Sequence, residues 1–169
     1  MRVLDKRGLS PLVATILLIL LSIAAMVILS SAIIPFVKEK MNEAQECSEI
    51  IKTADALTID AEDGYACYDD AGNVNITIHR GNLEIKGIKV SIRGGGDSKI
   101  VDIENNTDGT GIGVSMLDGS ATLVLPGKGG EKTYLISTAL SLIESAVIAP
   151  IMPSGQLCKE TDEVELEAC

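Results

Sequence analysis

No charged residue stands between Arg7 and Lys38, so residues 8–37 form an uncharged run of 30. As helix, ~20 apolar residues are enough to cross the hydrocarbon of a bilayer. Apart from four serines, two prolines and a threonine, every position from Leu9 to Val37 is apolar, and such a stretch has to lie in lipid or be covered by protein. At ~1.5 Å rise per residue the run makes about 45 Å of helix against ~30 Å of hydrocarbon, so part of it must tilt, protrude or pack. Arg2, Lys6 and Arg7 precede the run and are opposed only by Asp5. The bias of positive charge toward the cytoplasm then places Met1 inside and everything beyond Val37 outside. That outer part carries 11 Lys or Arg against 23 Asp or Glu, a balance of −12. Phosphate binding needs the opposite sign, so no nucleic-acid partner is expected.

Three readings compete for the apolar span. A secretory signal peptide cut after Ser30-Ser31-Ala32 would have a core about twice the usual 7–15 residues, which argues for retention of the segment. A plain single-pass anchor satisfies hydropathy alone. The third reading rests on the junction Lys6-Arg7-Gly8, followed directly by Leu9-Ser10-Pro11 and Leu12-Val13-Ala14-Thr15. This string resembles the class III signal sequence of archaeal type IV pilins and archaellin-like proteins. The resemblance covers some 30 of the 169 residues. It implies that a prepilin peptidase cuts between Gly8 and Leu9 on the cytoplasmic side, with Lys6 and Arg7 as the basic part of the motif, residues 1–8 as leader and the helix kept. Bacterial pilins carry a glutamate at the fifth mature position, where this chain has Val13, and the departure points to the archaeal branch. The resemblance further implies a homopolymer, with related pilins as further partners, built by an assembly ATPase on a membrane platform. The subunit would be stored in the cell membrane first and then exposed in a surface filament used for adhesion. A monomeric, membrane-anchored binding or stator-like accessory protein is the alternative.

Pro35 removes a backbone donor near the outer end of the span and frees the carbonyl of Ser31, a site for a kink. Past it, Ile33, Ile34, Val37, Met41 and Ala44 keep helical spacing, so one helix is expected from about Ser10 to about Lys52 within a segment 9–52. The remaining residues, 53–169, form a head. Its period is two: Val74, Ile76 and Ile78 alternate with Asn75, Thr77 and His79, and Leu83 and Ile85 continue one phase. Ile88, Val90 and Ile92 occupy the other phase, which calls for a bulge or turn near Gly87. Further strands are expected over residues 98–103, 111–116, 121–125, 133–137, 146–152 and 163–168. Roughly eight short strands with frequent turns read as a small antiparallel β-sandwich. The fold class is therefore α+β.

Cys47, Cys67, Cys158 and Cys169 all fall on the side expected to be outside and are even in number, as a disulfide framework requires. Three pairings are possible; short closures favour Cys47 with Cys67 and Cys158 with Cys169. None of the spacings is CxxC, and the one histidine, His79, has no partner motif, so neither a metal nor another cofactor is expected. Asn75-Ile76-Thr77 and Asn105-Asn106-Thr107 match the N-glycosylation acceptor pattern. The stretch PGKGGEKT lacks both glycines of a phosphate-binding loop, since Pro126 and Glu131 stand in their places. Asp102, Glu104, Asn106 and Asp108 alternate in the manner of cation ligands, but Gly109 is out of register with an EF-hand. With one histidine there is little material for a Ser-His-Asp arrangement, and no catalytic activity is expected.

Overall fold

Residues Pro11–Ile51 form one α-helix of 41 residues, α1, within a residue or so of the expected limits. A computed structural model describes residues 11–51, 56–61, 66–140 and 142–169. Pro11 opens the helix, where its missing N–H is no loss, and the helix continues through Pro35. Leucine, isoleucine and alanine dominate its inner turns and favour helix where no water competes for the backbone. The chain divides into two units, Met1–Asn42 and Glu43–Cys169, so the last turns of α1 belong with the head.

Within the head, twelve strands follow in chain order among the described residues. They are β1 (Leu57–Asp60), β2 (Ala66–Tyr68), β3 (Asn73–Arg80), β4 (Gly87–Gly94), β5 (Asp97–Glu104), β6 (Thr107–Asp108), β7 (Val114–Met116), β8 (Thr122–Leu123), β9 (Gly130–Ser137), β10 (Ser145–Ile151), β11 (Asp162–Glu165) and β12 (Glu167–Ala168). One sheet has the order β12-β2-β3-β9-β7, with β1 pairing the far end of β3; a second has the order β11-β10-β4-β5; β6 and β8 form a short ribbon. Every pairing among these strands is antiparallel except β12 with β2.

The alternation seen in the sequence decides which face is buried. Val74, Ile76 and Ile78 of β3 are fully buried, as are Ile88, Val90 and Ile92 of β4, and both strands feed one hydrophobic cluster with Val101, Ile103, Tyr134, Ile136, Ala146 and Ile148. The change of phase between β3 and β4 falls in a turn over residues 81–86, and Leu83 and Ile85 lie in it, not in a strand as expected. Arg80 explains the turn. Its buried guanidinium donates from Nε and Nη2 to the carbonyl of Leu83, at 2.8 and 2.5 Å, and from Nη1 to that of Pro126 at 3.0 Å. Only Val114–Met116 of the expected strand 111–116 is extended, because Thr110–Ile112 is a turn of 3-10 helix closed by Gly113 at φ 73°.

β10 is buried along both faces from Ala146 to Ile151, yet contains Pro150. The Pro150 carbonyl accepts from Cys158 N at 3.1 Å. In a strand the N and O of one residue point the same way, so the missing N–H also faces that side and β4 loses no ladder bond. β11 has by then ended, its last pair with β10 being Ile148 and Asp162.

Candidate assembly helix and cross-linked head

In the first unit an apolar span runs from Val13 to Lys38 with mean hydropathy 2.8, and none of it is buried. Sixteen large apolar side chains between Val13 and Val37 are exposed, Leu18 and Met26 at 71% each. Leaving one such side chain in water costs ~1.5–3 kcal/mol relative to burying it. Their sum, on the order of tens of kcal/mol, exceeds the ~5–15 kcal/mol that holds a whole domain folded. The helix therefore needs a cover. Its hydroxyls suit an apolar one: Ser22 Oγ donates to the carbonyl of Ile19 and Ser31 Oγ to that of Ile28, each at 2.8 Å, so neither needs water. Ala14, Ser22, Ala24, Ala25, Ser30 and Ser31 are exposed small residues at which another helix can approach closely. Lys6, Arg7, Gly8 and Leu9, the expected cleavage motif and junction, lie outside the described residues.

All four cysteines are in disulfides, but in neither of the short closures. Cys47 pairs with Cys158, Cα–Cα 5.4 Å, and Cys67 with Cys169, Cα–Cα 5.2 Å. The Cys67–Cys169 bond follows from the one parallel pairing among the described strands. Glu167 of β12 stands beside Cys67 of β2, and Cys169 N donates to the carbonyl of Tyr68 at 2.9 Å, which brings Cys169 onto β2. Cys158 is held after β10 by the hydrogen bond its N–H donates to the Pro150 carbonyl and packs with Ala56, Met152 and the partly buried Cys47. Each bond closes a loop of about 100 residues (separations 111 and 102), a chain constraint of ~4–5 kcal/mol when it acts alone.

The two acceptor triplets stand in different surroundings. Asn75 is half-buried in the middle of β3 between β2 and β9, with Nδ2 at 4.0 Å from Cys169 Sγ. Its Thr77 is 3% exposed and shares a 2.7 Å hydrogen bond with the hydroxyl of Thr133. Asn105 is exposed in the turn between β5 and β6; Oδ1 accepts from Leu125 N at 2.8 Å, and Asn106 follows in the left-handed region at φ 58°. Thr107 is partly exposed.

The alternating acids of β5 and β6 do not converge. Asp102 pairs with Lys89, Glu104 with Lys86, and Asp108 accepts from the amide and hydroxyl of Thr110, which holds its carboxyl below the usual range. Among the described residues no group of three His, Cys, Asp or Glu forms a metal cluster. In PGKGGEKT two glycine amides are already used: Gly129 N donates to the Arg80 carbonyl and Gly130 N to that of Gly127, while Lys128 pairs with Glu84 and keeps that carboxyl below its usual range. His79 stands across from Glu131 on β9 and Thr58 on β1, half-buried. Comparison with protein-family models and with curated protein sequences gives no match.

Proposed function

We propose that the chain is the structural subunit of an archaeal type IV pilus-like surface filament, its α1 helix packed among copies of itself and its β-sandwich head turned outward for attachment. The observation that carries this reading is the pairing of an unburied 26-residue apolar span with a disulfide-bonded, strand-rich head on one chain. Before assembly the span sits in the cell membrane with its N-terminus in the cytoplasm. After assembly neighbouring helices replace the lipid, and the exposed alanines and serines set how closely they approach. The head's disulfides support an extracytoplasmic site, since such bonds persist in oxidising surroundings. In this reading a prepilin peptidase removes residues 1–8 after Gly8, an ATPase and a membrane platform drive assembly, and the subunit itself catalyses nothing.

The alternative is a monomeric single-pass anchor carrying a binding or stator-like head. It is favoured by the length of the span, since 26 residues cross a bilayer unaided. Mass spectrometry of the mature N-terminus together with electron microscopy of sheared surface material separates the two. A start at Leu9 and filaments containing this chain support the pilin reading. A start at Met1 and detergent-soluble monomers overturn it.

A further inference from the structure

The two disulfides join the head's chain into a circuit. Cys47 and Cys158 form one junction and Cys67 and Cys169 the other. Three arcs of backbone connect these junctions. The first, from Cys47 to Cys67, includes β1; the shortest, from Cys158 to Cys169, includes β11 and β12; the longest, from Cys67 to Cys158, holds every strand from β3 to β10. The buried Val74, Ile76, Ile88, Val90, Tyr134 and Ile148 all lie on the longest of the three.

We propose that this circuit makes the head a link whose core cannot be drawn out by tension between α1 and the β2–β12 edge. Tension that enters at Cys47 and leaves at that edge draws out at most the short arc from Cys158 to Cys169, and the arc that builds the core cannot be extended past the same length. The reason is geometric. Two junctions held by a short tether cannot separate far enough to stretch a longer tether between the same points. At ~3.3–3.6 Å per extended residue the short arc allows about 36–40 Å, whereas the same ends without cross-links are about 120 residues apart and allow about 400–440 Å. The β3–β10 core then need not resist force by hydrogen bonds and packing alone. The protection depends on where the head is gripped. A pull at Asn106, in the β5–β6 turn, meets about 50 residues of chain by either route round the circuit, about 165–180 Å, and draws on the core.

As a function this rests on the filament reading, in which a subunit bears tension between its helix and its outer surface. The circuit itself is testable on single molecules of the full chain in detergent, with one bio-orthogonal handle at the exposed Met41 and a second after Cys169. Under oxidising conditions the extended reach beyond Cys47 is expected to stop near ~36–40 Å in the native sequence and in C67A/C169A, to come to about 66–72 Å in C47A/C158A, and to come to about 400 Å after reduction. Moving the second handle to Asn106 is expected to raise the oxidised value about fourfold. An oxidised native chain whose reach beyond Cys47 comes to about 300 Å, that of the long arc, has the short closures instead and overturns the proposal. A Cys-to-Ala series with no ordered steps overturns it as well. Polymerisation plays no part in this readout. A chain that passes it but never forms filaments keeps the circuit and defeats the filament reading.

Discussion

Asn75 Nδ2 lies 4.0 Å from Cys169 Sγ, so the first acceptor triplet and the second disulfide occupy the same patch of sheet. A sugar on Asn75 would have to displace Cys169, and the transferase would have to free Thr77 from Thr133. Asn105 meets neither obstacle, because it is exposed in a turn and held there by the hydrogen bond its Oδ1 accepts from Leu125 N. In a host with an oligosaccharyl transferase, glycopeptide mass spectrometry is expected to find the glycan on Asn105 and to find Asn75 bare. Sugar on Asn75 in protein whose Cys67–Cys169 bond is closed would count against this.

Among the described residues Arg80 is the one buried cation of the head, and it makes three hydrogen bonds to two carbonyls, which ties the 81–86 turn to Pro126. Hydrogen bonds to a charged group contribute ~1.5–3 kcal/mol, and the carbonyls left behind would be desolvated without partners. R80A is expected to lower stability by about 3 kcal/mol, read as the urea midpoint at unchanged slope. The 3.7 Å contact with Glu84 adds little, since that carboxylate is 70% exposed, and E84A should leave the midpoint where it is.

A Cβ built on Gly109 would stand 2.0 Å from the carbonyl oxygen of Val114 and 2.9 Å from a methyl of Leu123, whereas one on Gly111 meets nothing within 4 Å. Both are close in sequence and border or lie in the same 3-10 turn. G109A must push the β7 backbone aside and is expected to cost about 3 kcal/mol by overpacking. G111A is expected to change thermal stability by no more than about 0.5 kcal/mol, in line with surface substitutions. Equal effects would show that the turn rearranges freely.

Tyr134 is fully buried and donates from its hydroxyl to the Val124 carbonyl at 2.8 Å. Burial pushes its ionisation well above the usual tyrosine range, because a phenolate there has no water. A group whose folded pKa is raised stabilises the fold below its unfolded value and loses that contribution as pH rises toward the folded one. Head stability should therefore fall as pH climbs above ~10, the ordinary tyrosine value. One share of tyrosinate absorbance should appear only together with loss of near-ultraviolet circular dichroism. Y134F removes the titration, and the onset of alkaline unfolding should move upward. Ionisation of this ring in a head that stays folded would contradict the assignment.

Local pattern is what makes parts of this fold legible in the sequence. The uncharged run marks out α1, strict alternation marks out β3 and β4, and short apolar runs between turn residues mark out β5, β9 and β10 to within a few residues. β1 and β2 escape such a reading because LTID and ACY are too short to display a period. Leu83 and Ile85 imitate a strand because their spacing is right while Arg80 bends the chain. The cysteine connectivity is illegible for a different reason. Pairing Cys67 with Cys169 depends on a parallel contact between a three-residue and a two-residue strand about 100 positions apart, and nothing near either cysteine announces it. The contrast between Asn75 and Asn105 is equally hidden, because both triplets fit the same acceptor pattern and differ only in what folds against them.

Pro150 has a consequence beyond the native sheet. Residues 146–152, AVIAPIM, are apolar and uncharged throughout, and but for the proline they would have the composition of a segment that stacks with copies of itself into cross-β fibrils when unfolded. A proline within that segment breaks any continuous intermolecular ladder. In the folded strand the same residue leaves the ladder with β4 intact. At this position the missing donor thus costs the native sheet nothing and is felt only by a ladder that unfolded chains would build with one another.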